Sequence, residues 1–366
     1  MAIRVLQVVT IMDRGGEETM IMNYYRQMDR TKVQFDFLVH REQRGVYDDE
    51  IESLGGRIYR TSPIRPWVYG RYRKWLRNFF KQHNEFAAVH AHILENCGFV
   101  LEAARDKGIP IRVAHSHLAN VGVDLKFLFR KYGKYVLKHC GATKLLACGK
   151  DAGKYLFDGL PFKVLPNAVD TAKFRFNAAL REKKREELGV TDKLVLGNVA
   201  RFHPVKNQTY LVDIFNEINS RIPDSVLLLV GVGEEQDNVR AQVERLHLSE
   251  FVYFLNLRTD IHELLQAMDV LVFPSKLEGL PLSLVEAQAT GLPCILSDRV
   301  ARETAITDLV QFVPLESPPA YWADQVIEAS KAIRVDSFDQ IRAANYDIQE
   351  NALWLQNFYL QNELNG

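Results

Sequence analysis

Residues 270–298, VLVFPSKLEGLPLSLVEAQATGLPCILSD, admit few folds. Val270–Phe273 is a short unbroken apolar run, the pattern of a parallel strand buried on both faces. A loop with Gly279 and Pro281 follows, then Ser283–Thr290, helical in composition and ended by Gly291. Pro293 stops the helix, and Cys294–Leu296 opens a second strand. Strand, loop, helix, strand is one βαβ unit of a parallel sheet.

The polar residues of this unit are placed oddly for packing alone. Glu278 falls in the loop at the carboxyl end of the strand, where open α/β sheets bind ligands. Gly279 lets a backbone pass close to a ligand. The N–H groups of Gly279, Leu280 and Leu282 fall near a helix N-terminus, a natural anion site. Glu286 lies one turn into a mostly apolar helix and needs either solvent or a polar partner. An ordinary helix with one solvated glutamate explains that pattern equally well.

The stretch FPSKLEGLPLSLVEAQATGLP, with Glu278 and Glu286 bracketing seven residues, resembles the E-x7-E signature of retaining nucleotide-sugar glycosyltransferases, specifically glycosyltransferase family 4. The resemblance implies a GT-B fold: two Rossmann-like α/β domains facing across a cleft. It further implies that Glu278 contacts the donor sugar and that Glu286 holds the ribose hydroxyls.

Length and charge agree with two domains. The chain has 366 residues, enough for two cores of ordinary size. Residues 1–165 carry 27 Lys/Arg against 17 Asp/Glu, and the remainder 19 against 29, so the halves suit different partners. Cys97, Cys140, Cys148 and Cys294 show no C-x-x-C spacing, which points to buried thiols in a reducing compartment. Residues 3–12 are apolar but too short to span a bilayer, and they lack the flanks of a signal peptide. The expected location is cytoplasmic, with any membrane contact peripheral.

In the first half, Ile3–Thr10 reads as a strand and Glu18–Met28 as an amphipathic helix, with Gly15 and Gly16 between. A tight βα turn and a phosphate-approaching loop both fit that pair; the resemblance places the loop toward the donor phosphates and the acceptor. Arg60–Lys81 carries seven cations, no acidic residue and six interleaved aromatics. Asp124–His139 reads as a second basic aromatic helix. Both segments suit either core packing with a solvated face or an anionic membrane surface. His115-Ser116-His117 follows a strand, and the family's active-site histidine maps to His117. Pro166-Asn167-Ala168-Val169-Asp170 resembles the family's P-N-G-V-D hinge segment, with Ala168 in place of Gly. The expected domains are therefore 1–168, with the terminal helix of about 345–366 returning to it, and 169–344.

In the second half, residues 171–192 read as a charged linker with a helix from Arg181 to Leu188. A strand then ends in Ala200-Arg201-Phe202-His203-Pro204-Val205-Lys206-Asn207. Arg201 as a fork and Lys206 as a point charge suit a diphosphate, and the family uses this pair as its diphosphate clamp. Gly231-Val232-Gly233 falls where the family's nucleotide pocket has a G-x-G, and Asn256-Leu257-Arg258 where the family usually has Gly and backbone contacts to the base, with Arg258 beside them. Asn256 tolerates a positive φ, so its departure from Gly is mild. The expected reaction is sugar transfer from a nucleoside diphosphate sugar, UDP-linked, to an acceptor hydroxyl with retention. It needs no metal and no cofactor, because cations replace a metal at the diphosphate. The expected acceptor is a glycan or lipid-linked glycan of bacterial capsule or exopolysaccharide type. Three alternatives stay open: a nucleotide-sugar epimerase of the same fold, a silent sugar-nucleotide-binding subunit and, least consistent with zero net charge, a nucleic-acid binder.

Overall fold

The structure, a computed structural model, describes residues 2–13, 15–118 and 127–361. In the first half the apolar runs form β1 (Ile3–Val9), β2 (Val33–Val39), β3 (Ile58–Arg60), β4 (Phe86–Ala91), β5 (Ile111–Ser116), β6 (Lys144–Ala147) and β7 (Lys163–Val164). They make one parallel sheet in the order β3-β2-β1-β4-β5-β6-β7. Alternate strand residues face opposite cores. Leu6, Val8, Val89 and Ala114 pack under the helices Tyr69–Gln82, Cys97–Asp106 and Lys150–Phe157. Val5, Val9, Phe35, Phe37 and Val113 pack on the other face against Gly16–Gln27 and the last helix, Ile348–Gln361.

The second half repeats the scheme with β8 (Leu194–Val199), β9 (Ser225–Val230), β10 (Val252–Asn256), β11 (Val270–Phe273), β12 (Cys294–Ser297) and β13 (Val310–Val313). These are parallel in the order β10-β9-β8-β11-β12-β13. One face buries Val195, Leu228, Leu271 and Leu296 beneath the helix Leu282–Ala289; the other buries Leu196, Leu229 and Val272 beneath Gln208–Arg221 and Pro319–Ala329, the latter contributing Trp322. Strand order reverses at β1/β4 in one sheet and at β8/β11 in the other. Loops at the carboxyl ends of those strands are where such sheets bind ligands.

The chain divides into two compact units. The first runs to Ala168 and includes the helix from Ile348; the second is Val169–Asp347. Ile348, Ala352, Leu355 and Tyr359 are buried in the first unit's core, so the last helix belongs to that unit by packing.

Several local expectations shift. The supposed linker is largely helical: Asp170 caps Thr171–Phe174 and Asn177 caps Ala178–Leu188, each side chain accepting from a first-turn N–H. Most aromatics of the first basic segment are core. Tyr72, Phe79 and Phe80 are buried, and Trp75 stacks on Phe79 at 5.2 Å. The second basic helix is described from Phe127 to His139; Asp124 and Lys126 lie outside the described residues. All four cysteines are free and buried. Among the described residues no helix is long and apolar enough to cross a membrane.

Candidate functional site

The signature stretch folds as its residue pattern requires. β11 ends at Phe273, the loop carries Glu278, and the helix Leu282–Ala289 starts after Pro281. Gly291 closes it at φ +67°, where a Cβ would lie 2.0 Å from the Val335 carbonyl oxygen, so only glycine fits. The N–H groups of Gly279, Leu280 and Leu282 have no acceptor among the described residues. A Cβ on Gly279 would meet nothing within 4 Å, so this glycine leaves open space rather than serving a strained turn.

The loop after β8 is held against this one. Lys276 N–H donates to the Val205 carbonyl at 2.8 Å, and Asn207 Nδ2 donates to the Pro274 carbonyl at 3.1 Å. Asn207 itself is left-handed, at φ +60°, a conformation asparagine tolerates. These bonds bring Lys206 onto Glu278 in a close ion pair, with both side chains mostly buried. The Lys206 ammonium also lies 5.3 Å from the centre of the Phe273 ring. Burial pulls Lys206 down to about 8, while the adjoining carboxylate opposes that by favouring the charged form. Arg201, in contrast, is exposed, and its backbone carbonyl accepts from Gln208 Nε2 at 2.9 Å.

Gly231 after β9 sits at φ +136°, and a Cβ there would lie 2.1 Å from the Ala200 oxygen. The loop after β9 therefore packs directly on the loop that carries Arg201. Asn256 adopts φ +54°, so the residue standing where the family has glycine takes up the glycine-like backbone. Arg258 does not project as a free cation: it makes a two-pronged ion pair with Asp260 at 2.8 and 2.6 Å.

Glu286 is half-buried, and while its backbone carbonyl accepts from Thr290 N–H, its carboxylate has neither hydrogen bond nor ion pair among the described residues. Burial raises its carboxyl to about 7, with Lys173 opposing. An unpartnered carboxylate at this depth suits a ligand that brings its own hydroxyl donors. A surface groove of about 690 Å³ lies nearby, lined by Asn207, Tyr210, Lys276 and Arg299 among others; Arg201, Lys206, Glu278 and Glu286 do not line it.

In the first unit, Gly15 is the extended N-cap of the helix Gly16–Gln27, and a Cβ on Gly16 would meet nothing within 4 Å. His117 follows β5 and is half-buried. Its Nε2 lies 2.8 Å from His92 Nδ1, and its own Nδ1 has no partner among the described residues. His92, His90, His115, Gln7 and Tyr359 join it in one polar cluster, and of these sequence reasoning had noted only His115. The available signal was a lone glutamine inside the apolar strand IRVLQVV and two histidines at alternate positions of VHAH.

Two parallel-sheet Rossmann-like units, with loops gathered at the carboxyl edge of each sheet, place the protein in the GT-B fold class. Residues 180–332 match the family described as Glycosyl transferases group 1, and residues 14–173 match Glycosyltransferase Family 4. The chain is 38% identical over 97% of its length, and 96% of the relative's, to EpsF of Bacillus subtilis (strain 168), which is named as a glycosyltransferase. It is 33% identical over 72% of both chains to an Escherichia coli UDP-Gal:alpha-D-GlcNAc-diphosphoundecaprenol alpha-1,3-galactosyltransferase. The chain belongs to glycosyltransferase family 4. The Anabaena protein Alr3699/HepE, solved in complex with UDP, shares the fold at TM-score 0.76 and 18% identity, over 99% of this chain and 100% of that one.

Proposed function

We propose that the protein transfers a sugar from a UDP-linked donor to an acceptor hydroxyl with retention of configuration, in assembly of a bacterial surface polysaccharide. The observation that carries this is the pair of hydrogen-bonded loops that bring Lys206 onto Glu278 beside the free N–H groups of Gly279, Leu280 and Leu282. Lys206, Arg201 and those N–H groups would neutralise the departing diphosphate, the largest electrostatic demand of the reaction. In this structure Glu278 is the counter-ion of Lys206; with donor bound, phosphate would take that place and free Glu278 to accept from sugar hydroxyls. Glu286 would accept from the ribose diol. His117 would contact the transferred sugar, and the loop of Gly15 and Gly16 would approach the phosphates and acceptor. Among the described residues around Lys206 and Glu278 no side chain is placed as a covalent nucleophile, so attack would come from the leaving-group face within an ion pair.

The UDP donor is supported by the name of the Escherichia coli relative and by the UDP complex of HepE. The same relative's diphosphoundecaprenol substrate supports a lipid-linked acceptor. A lipid-linked acceptor requires contact with an anionic membrane, and the helix Phe127–His139 suits one. It exposes Leu128 and Tyr135, at 73% and 64%, together with Phe127, Phe129 and Tyr132. Lys131 and Lys138 are exposed among them, and Trp67 projects at 76% exposure from the same unit. Rings and basic groups so arranged seat at a charged lipid interface.

The test is a thermal-shift panel of UDP, UDP-glucose, UDP-galactose, UDP-N-acetylglucosamine and GDP-mannose, followed by turnover on a lipid-diphosphate acceptor. A UDP sugar at 100 times its Kd is expected to stabilise by about 2.7 kcal/mol. Stabilisation by the guanosine nucleotide alone would overturn the donor reading.

A further inference from the structure

Four histidines gather at the carboxyl ends of β4 and β5, on the edge that also carries the loop after β1. Their rings stack: His90 on His92 and His115 on His117 at 4.3 Å each, and His92 on His117 at 5.1 Å. His90, His92 and His115 are almost wholly buried. Burial pulls all four well below the ordinary imidazole range, so each ring is neutral. A neutral imidazole has one donor and one acceptor nitrogen.

Gln7 sets the proton positions. Its Oε1 faces His92 Nε2 at 2.9 Å, and an amide oxygen can only accept. His92 carries its proton on Nε2 and has a bare Nδ1. That Nδ1 lies 2.8 Å from His117 Nε2, so His117 donates from Nε2. On the second branch Tyr359 Oη lies 2.6 Å from His90 Nδ1, and His90 Nε2 lies 3.2 Å from His115 Nδ1. His115 Nε2 has no hydrogen-bond partner among the described residues. Nitrogens of His90, His92 and His115 lie within 4.8 Å of one another, close enough for one metal ion to bridge. Yet His92 uses both nitrogens on Gln7 and His117, and His90 uses both on Tyr359 and His115. On the His92 branch the acceptor left bare is His117 Nδ1, which is buried and has no partner among the described residues.

We propose that Gln7 and His92 are positioning residues that hold His117 as its Nε2–H tautomer, presenting Nδ1 as an obligate hydrogen-bond acceptor for a hydroxyl of the transferred sugar. This rests on the reading that His117 contacts that sugar. A ring so fixed rejects an anion at Nδ1 and selects a hydroxyl donor. Tyr359 joins the last helix to the same cluster through His90.

The test is nitrogen NMR of the full chain labelled with ¹⁵N-histidine, combined with turnover. Near neutral pH, His117 is expected with a protonated Nε2 and an unprotonated Nδ1; an Nδ1–H form, or averaging of the two, overturns the proposal. His92→Phe keeps the ring but removes both nitrogens. It should lower kcat about tenfold, the worth of one hydrogen bond, with UDP affinity unchanged. His92→Asn, whose Oδ1 stands near the lost Nδ1, should recover most of that loss. Should His92→Phe not fold, Gln7→Met removes only the acceptor behind His92 and should produce mixed tautomers at His117. Wild-type kcat and tautomer in either variant overturns the proposal, as does a stoichiometric metal retained by the purified protein. His117→Ala separates the two readings. Unchanged turnover there removes the sugar contact itself, whereas loss of turnover beside an unaffected Gln7→Met removes the positioning role alone.

Discussion

Glu286 carries the clearest titration in the second unit. Its carboxyl sits near 7, above the ordinary value of about 4.3, because burial disfavours the charge. A carboxyl raised on folding costs stability as it ionises. That cost grows as pH rises from the unfolded value to the folded one and is constant above it. Glu286→Gln is therefore expected to raise thermal stability at pH 8, by roughly 2 kcal/mol once partial exposure is discounted, and to change little at pH 4. Nucleotide binding should move the other way, weakening in the same variant and, in the wild type, as pH falls through 7. Melting curves at the two pH values, with and without UDP, check both directions. Lys206→Ala removes a buried cation and strands Glu278. Turnover should fall by about 10²–10³-fold, the range for removing one preformed donor at a developing charge. Single-turnover kinetics at saturating donor would show whether the loss lies in the chemical step.

Among the elements, the loop after β9 is the least tolerant. Gly231→Ala places a Cβ against the Ala200 oxygen at a backbone angle only glycine adopts easily. Destabilisation of about 2–3 kcal/mol is expected, together with displacement of the loop that carries Arg201; a melt and a UDP titration of one sample measure both. The helix Phe127–His139 makes a separate prediction. Charge reversal at Lys131 and Lys138 with Leu128→Ser should abolish binding to anionic vesicles at low salt while leaving donor hydrolysis intact. Wild-type protein should leave the vesicles at high salt, because screening shortens the reach of surface charge. Cosedimentation by a variant as strong as by wild type would remove this helix from the membrane reading. Arg73 is a poor choice for such reversal, since it pairs with Glu102 at 3.2 Å and lies over Phe99 at 5.0 Å.

For the whole molecule, the terminal helix decides the integrity of the first unit. Removing residues from 348 onward uncovers Val9, Phe35 and Phe37 and deletes Tyr359 from the histidine network. The truncated chain is expected to aggregate on expression while the second unit, Val169–Asp347, folds alone; solubility and circular dichroism of the two fragments test this. Turnover in excess EDTA should persist, because Lys206, Arg201 and backbone N–H groups supply the positive charge at the diphosphate. Loss of activity restored by magnesium or manganese would overturn that mechanism.

Local pattern was enough to place the βαβ unit of 270–298, to end its helix at Gly291 and to mark Asn256 as a residue that tolerates the left-handed backbone it adopts. These follow from periodicity and turn chemistry, written within a few residues of chain, whereas the reading of Glu278 and Glu286 as ligand groups came from the family resemblance. Tertiary structure decided the rest, because it depends on which distant groups meet. Lys206 and Glu278, 72 residues apart, become counter-ions only when two loops are hydrogen bonded together. Arg258 is engaged by Asp260 rather than free, and the aromatics of the segment before Lys81 divide between core and surface according to which helix face each occupies. Gln7, His92 and His117 come from three strands or strand ends that are neighbours only in the sheet order β1-β4-β5. The proton position on an imidazole is set by what its other nitrogen touches, and no stretch of sequence contains that contact.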